Sequence, residues 1–454
     1  WFTDTASTGV NKIQAGNLDV DIIDLQGHSL DGKTLKWQKA SGAENEDVLW
    51  EPGCTYYLTP FQIQNKGSLA LKYKVVINGV SGDSKLLEAL EFGFYYFRVG
   101  FGEERSLDEL IEGGKLDNVA EYPGLCTAPI YIVAHMKEEA GNEYQGLSID
   151  GISITVVATQ ATYEKDSFDN TYDKDATYPV TDNKGLKDAI NNAADGSTVH
   201  FASGEYTLSD PAETSKIEIP AGATIAGAGA DNTTLNVNND KIAKDNVTLK
   251  DMTIKGSGSQ GNNGTLNVNG NNTTIENIDY KGDGNIAIAV STGESNSGTT
   301  FRGTKITNAF RGIQFWSLSG DSVIDNCVLD VAGYTFNIDA AVAGSTLTIT
   351  NSTLNGWTSY TSGIKLVTFD SCKLGLNAYS YLRPYSETML VNCEFTSDGY
   401  QLNAGGSDAY TITLTNCTKN GTLITADNVK TLLLDTEDWN SNTTLIVNGV
   451  TVSV

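Results

Sequence analysis

The first 161 residues alternate apolar and polar positions in short runs separated by turn residues. This period of two is typical of half-buried antiparallel strands. The runs cover residues 18–25, 56–64, 70–77, 92–99, 130–134 and 149–159. Where the apolar spacing changes to three and four, at residues 84–90 and 106–112, it predicts short helices. The pattern therefore predicts a β-sandwich or jelly roll with inserted helices.

A longer repeat begins after residue 178. Apolar strand segments recur there, each ending in Asn or a similar residue, and the steps between these end positions are 26, 26, 23, 25, 20, 21 and 24 residues. A repeat of this length predicts a solenoid whose stacked coils rise about 4.8 Å each. The register positions are Asp251, Asn277, Gly303, Asn326, Asn351, Ser371, Asn392 and Asn416.

A helix is predicted just before this repeat. Asp182 is a suitable N-cap, and an apolar stripe follows at Leu186, Ala189, Ile190 and Ala193. The helix followed by a short strand at 197–201 resembles the opening of right-handed parallel β-helix proteins of the pectate-lyase-like superfamily. The resemblance implies an all-β chain that ends in a right-handed parallel β-helix with an N-terminal capping helix.

Four segments of the first part carry a second resemblance. FTDT from Phe2, AGNLDVDI from Ala15, LWEPGCTYYLTPFQIQNKGSLALKYKVVING from Leu49 and YQGLSIDGISITVVATQAT from Tyr144 resemble successive blocks of the TasA/camelysin family of secreted matrix-fibre proteins. In that family the N-terminal strand inserts into the sandwich of the next subunit. Carried over, the donor strand here would contain Trp1, Phe2, Thr3, Asp4 and Thr5.

This resemblance implies an extracellular, biofilm-matrix-type filament. Because the donated strand and the groove that accepts it are different surfaces, the contact is heterologous and builds an open polymer. The alternative is that residues 1–11 form the first strand of their own sheet. The chain begins with Trp1 and not with Met, from which we expect a removed secretory signal peptide and a secreted protein.

The predicted domains follow from these patterns. A donor strand covers residues 1–12, a TasA-like β-sandwich residues 13–165, and the β-helix residues 179–454. Between them, residues 166–178 are polar, acidic and without periodicity, which is typical of a linker.

Charge and composition restrict the partners. A formal charge of −26 over 454 residues argues against nucleic acid and anionic membranes, which need basic surfaces. No apolar run approaches the roughly 20 residues that span a bilayer, so no membrane insertion is expected. The three histidines, His28, His135 and His200, are far apart in sequence, and neither a metal nor a cofactor is predicted.

The six cysteines fall into two groups. Cys54 and Cys126 are disulfide candidates, with two buried free thiols as the alternative. The other four occupy one position of the repeat, directly after the register residue, together with Met252, Ile278, Thr304 and Ser352. We expect an interior stack of small residues there, with a Cys372–Cys393 or Cys393–Cys417 disulfide as the alternative to the free thiols of Cys327, Cys372, Cys393 and Cys417.

The β-helix lacks an obvious catalytic motif. It contains no Asp-Asp pair and three arginines, Arg302, Arg311 and Arg383, so the chain is predicted not to be an enzyme. Aromatic residues do crowd into consecutive coils. If they face outward they could stack on sugar rings, and if they face inward they are core. The candidate glycan-binding residues are Trp316, Tyr334, Trp357, Tyr379, Tyr381 and Tyr400.

The sequence thus predicts a filament subunit that displays a β-helix on the fibre surface. Its expected partners are other copies of itself and an extracellular polysaccharide. Two alternatives stay open at this point: a secreted polysaccharide-active β-helix enzyme with an accessory sandwich, and a monomeric glycan-binding adhesin.

Overall fold

The computed structural model describes residues 18–39, 48–117, 125–161, 179–207, 218–258, 263–294, 296–375, 381–396 and 401–454. For residues 78–82, 150–153 and 401 it describes the backbone alone. The chain is all-β, with 8% of its residues helical. It divides into two units, Trp1–Pro179 and Val180–Val454. No helix in the described part of the chain is long and apolar enough to cross a bilayer.

The first unit is built from antiparallel sheets. Strands β1 and β4 pair in one, β10, β5 and β8 in a second, and β2, β3, β9, β6 and β7 in a third. Its elements are β1 (Val20–Ile23), β2 (Trp37–Gln38), β3 (Thr55–Leu58), β4 (Gln62–Asn65), β5 (Leu71–Gly82), α1 (Ser84–Glu88), β6 (Leu90–Tyr96), β7 (Arg105–Ser106), α2 (Leu107–Glu112), β8 (Gly114–Leu116), β9 (Ile130–Met136), a 3-10 helix (Asn142–Tyr144) and β10 (Ile149–Gln160). Helices α1 and α2 confirm the two predicted helices. The jelly-roll arrangement stays a prediction.

The second unit opens with helix α3 (Asn183–Asn192). The Asp182 side chain accepts a hydrogen bond from the Gly185 N–H at 2.6 Å, which confirms it as the N-cap. Leu186 and Ile190 belong to the same hydrophobic core as the strands that follow. The helix therefore covers the open end of the first coil, as predicted.

Parallel strands after α3 stack into three sheets, which we call faces A, B and C. Several long strands bend from one face to the next. Face A contains β11 (Thr198–His200), β13 (Thr224–Ala226), the starts of β16 (Thr248–Gly256) and β18 (Thr274–Thr292), β19 (Thr300–Arg302), β21 (Asp321–Asp325), β23 (Thr346–Thr350), β25 (Leu366–Asp370), β28 (Thr388–Val391), β31 (Thr411–Thr415) and β35 (Thr444–Val447). Face B contains β12 (Gly204–Thr207), β14 (Thr233–Val237), the end of β16, the middle of β18, the starts of β20 (Lys305–Phe315), β22 (Val328–Ile338) and β24 (Thr353–Tyr360), β26 (Lys373–Leu374), β29 (Glu394–Phe395) and β32 (Thr418–Lys419).

Face C carries the candidate site. It contains β15 (Asp240–Ile242), β17 (Leu266–Val268), the ends of β18, β20, β22 and β24, β27 (Tyr381–Arg383), β30 (Gln401–Ala404) and β34 (Leu434–Trp439). All three faces are present in about eight consecutive turns. The parallel β-solenoid predicted from the repeat is confirmed.

The C-terminal end departs from the regular coil. Strand β33 (Thr422–Leu423) pairs antiparallel with β32, and helix α4 (Val429–Leu432) precedes β34. Strand β36 (Val450–Val452) then pairs antiparallel with β35 around the Asn448-Gly449 turn. Both turn residues have positive φ, 48° and 80°, as a tight hairpin turn of this sequence requires.

The register residues turn the chain from face A to face B. All eight adopt the left-handed conformation, with φ between 51° and 57°. Asn and Gly tolerate this conformation best, which is why they recur at this position. The side chains also bond from coil to coil: Asn277 Nδ2 donates to Asp251 Oδ1 at 3.0 Å, and Asn416 Nδ2 to Asn392 Oδ1 at 2.8 Å.

Replacing one of these residues tests the turn. We expect Asn326→Val to lower the free energy of unfolding by about 1–3 kcal/mol, because a β-branched side chain is strained at φ 52°. Asn326→Gly should change it by much less, since Gly adopts this φ freely. Urea unfolding of the two variants measures the difference. Equal stabilities would show that the turn does not select its residue by conformation.

The position after each register residue points into the core. None of the side chains there is more than 2% exposed, so the predicted interior stack is confirmed; they are Met252, Ile278, Thr304, Cys327, Ser352, Cys372, Cys393 and Cys417. The four thiols are free, so neither of the alternative disulfides, Cys372–Cys393 or Cys393–Cys417, is present. Burial raises the pKa of the Cys327 thiol to about 11, which makes it a poor nucleophile at neutral pH.

Candidate functional site on face C

Some residues singled out in the sequence lie outside the described part of the chain. The predicted donor strand, Trp1, Phe2, Thr3, Asp4 and Thr5, is one such group, and Tyr379 and Tyr400 are the others. Filament formation and its homopolymeric contacts therefore stay predictions.

The two cysteines of the first unit are separate in the structure. Cys54 precedes β3, and Cys126 lies opposite Gln64 of β4. Both are half-buried free thiols, so the predicted disulfide is not formed in this structure.

Face C presents one outward-facing residue per coil between two inward neighbours. In eight successive strands this residue is polar, and the strand pairing stacks each one on the next from Lys241 to Arg383. Strand β30 adds the eighth. We call this set the polar row: Lys241, Asn267, Ser291, Gln314, Asn337, Ser359, Arg383 and Asn403.

Hydrogen bonds connect members of the polar row across coils. Ser291 Oγ donates to Asn267 Oδ1 at 2.6 Å, and Asn337 Nδ2 donates to Gln314 Oε1 at 3.2 Å. Asn267, Ser291 and Gln314 are each no more than 5% exposed. These bonds hold the bonded side chains in place, and the members of the polar row that are most open to solvent are Lys241, Asn337, Ser359 and Arg383.

A row of aromatic rings lies beside the polar row, and each ring comes a few residues before a polar-row residue in the sequence. Ring centroids of Phe310 and Tyr334 are 6.4 Å apart, those of Tyr334 and Trp357 5.4 Å, and those of Trp357 and Tyr381 6.4 Å. Phe310 is 51% exposed and Trp357 41%. We call these four residues the aromatic row. They face outward, whereas Phe336 and Tyr360 stack on each other inside the core at 6.3 Å.

Trp316 lies at the other side of the polar row, in a cleft of about 360 Å³. The cleft is also lined by Lys241, Asn267, Ser291 and Glu294. Thr292 lines it as well, and its buried hydroxyl has no hydrogen-bond partner among the described residues. An aromatic wall beside amides and hydroxyls suits a polar ligand that has apolar ring faces.

A charged cluster ends the row at β27, β30 and β34. The Tyr381 hydroxyl donates to Asp435 Oδ2. Asp438 Oδ2 accepts from Arg383 Nη2 at 3.2 Å and from Asn403 Nδ2 at 2.8 Å. Arg383 Nε and Asn403 Oδ1 are buried without a partner in the part of the chain described. We call these five residues the charged cluster.

The hydrogen bond between Tyr381 and Asp435 fixes their protonation states. It lowers the pKa of Asp435 below its ordinary value of 3.8. Burial, and then the bond to Asp435, raises the pKa of Tyr381 to about 12. At neutral pH Tyr381 is therefore a neutral donor, and Asp435 is a carboxylate.

Sequence reasoning missed most of this site. It named Arg383 and Tyr381 but not Asp435, Asp438 or Asn403. The polar row did leave a signal, a single polar residue between inward apolar ones in triplets such as LNV (266–268), IQF (313–315) and FNI (336–338). Three aspartates close together in sequence do not form a site: Asp321 and Asp325 lie on face A and Asp330 on face B.

Buried and half-buried tyrosines give the protein a predictable alkaline limit. Burial raises the pKa of four of them to about 12: Tyr73, Tyr206, Tyr280 and Tyr381. A raised folded-state pKa stabilises the fold below the unfolded pKa of about 10, and this contribution is lost as the pH rises towards 12. Tyrosinate absorbance should thus show a late phase that coincides with loss of the strand signal in circular dichroism. Complete ionisation near pH 10 in a folded protein would contradict the burial.

Comparison with known proteins leaves the family open. No family model matches the chain, and no curated protein is similar to it in sequence. A catalytic domain of GH87 alpha-1,3-glucanase in complex with nigerose is 13% identical, with a TM-score of 0.37, 95% of this chain covered and 98% of that one. The catalytic unit of the thermostable GH87 alpha-1,3-glucanase from Streptomyces thermodiastaticus strain HF3-3 is 11% identical, with a TM-score of 0.34 and 90% and 92% covered. The Azotobacter vinelandii mannuronan C-5 epimerase AlgE4 A-module is 14% identical, with a TM-score of 0.32 and 54% and 92% covered.

These matches correct one prediction. The chain was predicted not to be an enzyme because it lacks familiar catalytic motifs, and this is contradicted by structural neighbours that are catalytic domains and modules of carbohydrate-active enzymes. The motif search considered residues adjacent in sequence, whereas a solenoid can bring together residues of different coils. The TasA/camelysin resemblance finds no support in the comparisons.

Proposed function

We propose that the solenoid is a polysaccharide-active enzyme that binds an extended sugar chain along face C. The observation that carries this proposal is the polar row running beside the aromatic row through consecutive coils. A pyranose ring has an apolar face that stacks on aromatic rings and hydroxyls at its edge that bond to amides and hydroxyls. Both kinds of surface are present on β20, β22, β24 and β27, and the polar row continues beyond these strands on both sides.

The length of the polar row favours a polymer over a single sugar. Its eight strands are separated by seven coil steps, which makes about 34 Å at about 4.8 Å per step. A monosaccharide would occupy only one or two coils. A chain lying along the axis could meet the polar row at every coil and the aromatic row in four of them.

The charged cluster is where we place the reaction. Asp435 is held ionised by Tyr381, so it suits a role that needs a carboxylate, to stabilise positive charge that develops at the anomeric carbon. Asp438 lies on the same strand, next to Arg383 and Asn403. Both carboxylates are thus at one end of the rows that would position the chain.

A panel of soluble polysaccharides tests this function. Each polymer is set in a native gel to detect binding by retarded migration, and is also incubated with the protein before products are analysed by mass spectrometry. We expect at least one polymer to retard the protein and to yield shorter or altered chains. Normal migration through every polymer would contradict the proposal.

Removing the Asp435 charge separates catalysis from binding. Asp435→Asn should lower turnover of the identified polymer at least about 100-fold, because the charge assigned to stabilising the transition state is lost. Gel retardation should change little. Asp427→Asn, at an exposed position in the turn before α4, is the matched control and should keep full activity. Full turnover by Asp435→Asn would refute the role assigned to Asp435.

Self-assembly is a separate proposal that rests on the four N-terminal sequence segments alone. If residues 1–5 are a donated strand, deletion of residues 1–11 should leave a soluble protein that forms no fibres in electron micrographs, while the full chain forms them. Fibres formed equally by both would contradict the donor role. Secretion is part of the same proposal.

A further inference from the structure

We infer that the sugar chain recognised by face C is uncharged. This inference rests on the proposed function and concerns only the class of polysaccharide. It comes from the charges on and beside the polar row and from the partners that these charges already have.

The arginines of face C are occupied by the protein's own groups. Arg311 Nη1 donates to Gln314 Oε1 at 2.7 Å, and its guanidinium lies 5.2 Å from the centre of the Tyr334 ring. Arg383 is ion-paired with Asp438. Recognition of a sugar carboxylate normally uses an arginine whose paired N–H groups are free to bind both oxygens. Each arginine thus has part of its guanidinium engaged within the protein, and the Arg383 Nε that has no partner is buried.

Among the described residues on and beside face C, carboxylates also outnumber cations. Lys241, Arg311 and Arg383 give three positive charges. Glu294 in the Trp316 cleft, Asp339 beside Asn337, and Asp435 and Asp438 in the charged cluster give four negative charges. An acidic polymer repeats its charge along the chain, so it would meet these carboxylates at both ends of the site. The formal charge of −26 for the whole chain also disfavours binding of an acidic polymer.

The rest of the polar row is neutral and needs no charged partner. Asn337 and Ser359 are half-buried amide and hydroxyl groups, and Asn267 and Ser291 line the Trp316 cleft. Groups of this kind match sugar hydroxyls as both donors and acceptors. Binding through them should depend little on salt, in contrast to binding through ion pairs.

Affinity electrophoresis with two groups of polymers tests the inference. Neutral polymers are a soluble glucan, a xylan and a galactomannan, and acidic ones are polygalacturonate, alginate and hyaluronate. We expect a neutral polymer to bind the wild-type protein at least about tenfold more tightly than any acidic one. Its affinity should change less than about twofold between about 20 and about 500 mM NaCl.

A charge-reversed protein sharpens the test. The double variant Glu294→Lys/Asp339→Lys changes two exposed carboxylates at the edge of the polar row and should gain affinity for an acidic polymer about tenfold at low salt. The control, Asp188→Lys/Asp321→Lys, makes the same change of charge at exposed positions on helix α3 and on face A. If both variants gain equally, net charge and not face C selects the polymer, and the inference is overturned.

The other outcomes separate this inference from the proposed function. Wild-type binding to an acidic polymer that falls with salt and is lost in Arg383→Gln or Arg311→Gln would overturn the inference and leave face C as the binding site. Absence of binding to both groups of polymers would overturn the proposed function, and the inference with it.

Discussion

Replacing Trp357 with Ala is expected to lower the affinity for the bound polysaccharide about 10- to 100-fold. Trp357 lies between Tyr334 and Tyr381 in the aromatic row and is 41% exposed. Loss of its stacking area should cost about 1.5–3 kcal/mol, and each 1.4 kcal/mol is tenfold in affinity. Because it lies between Tyr334 and Tyr381, its loss also interrupts the row of four rings.

Met389 provides the matched control for this variant. It is 38% exposed on β28 of face A, so Met389→Ala removes a large apolar side chain of similar exposure from a different face. Its affinity should stay within about twofold of wild type, and both variants should unfold at nearly the wild-type temperature. Equal losses of affinity in the two variants would place the sugar chain elsewhere.

Replacing Phe336 with Ala is expected to have the largest effect on stability. Phe336 is fully buried, and its ring stacks with those of Tyr360 and Phe369 at 6.3 and 6.2 Å. Truncating it leaves a cavity between three coils and should lower the free energy of unfolding by about 3–5 kcal/mol. Urea unfolding followed by circular dichroism measures this loss.

Phe336→Leu is the control that keeps most of the volume. Phe336→Leu should lower the free energy of unfolding much less than Phe336→Ala does, because the apolar contacts are largely preserved. A loss below about 1 kcal/mol for Phe336→Ala would mean that the ring stack contributes little to the solenoid.

The solenoid could be predicted from the sequence because its turns accept few residue types. A left-handed turn at each register position selects Asn or Gly, as at Asn277 and Gly303, so the repeat is visible in the residue types themselves. The position that follows is always buried, which identified the Cys stack. In the first unit, alternation located the strands but left the arrangement of the sheets undetermined, since period two fixes which residues share a face and not which strands pair.

The orientation of the aromatic residues could not be predicted, for a physical reason. Tyr334 and Phe336 are two residues apart, so simple alternation puts them on the same side of the strand. The pairing of β22 with β24 shifts between them, and Thr335 is the extra residue. This bulge reverses the alternation, so Tyr334 faces outward and Phe336 inward. A bulge of this kind has no residue signature that sequence alone reveals.

The charged cluster was hidden for a different reason. After Asn416 the repeat is interrupted by the antiparallel pair of β32 and β33 and by helix α4. The strand that follows, β34, pairs with β30 with a register shift between Leu402 and Ala404. Without a regular period, nothing in the sequence assigned Asp435 and Asp438 to face C.

The structure of the chain with a bound neutral oligosaccharide tests the central claim most directly. The sugar rings should lie along face C between Trp316 and Tyr381, with apolar faces against Tyr334 and Trp357 and hydroxyls bonded to the polar row. An oligosaccharide bound on face A, on face B or in the first unit, with face C empty, would contradict the account.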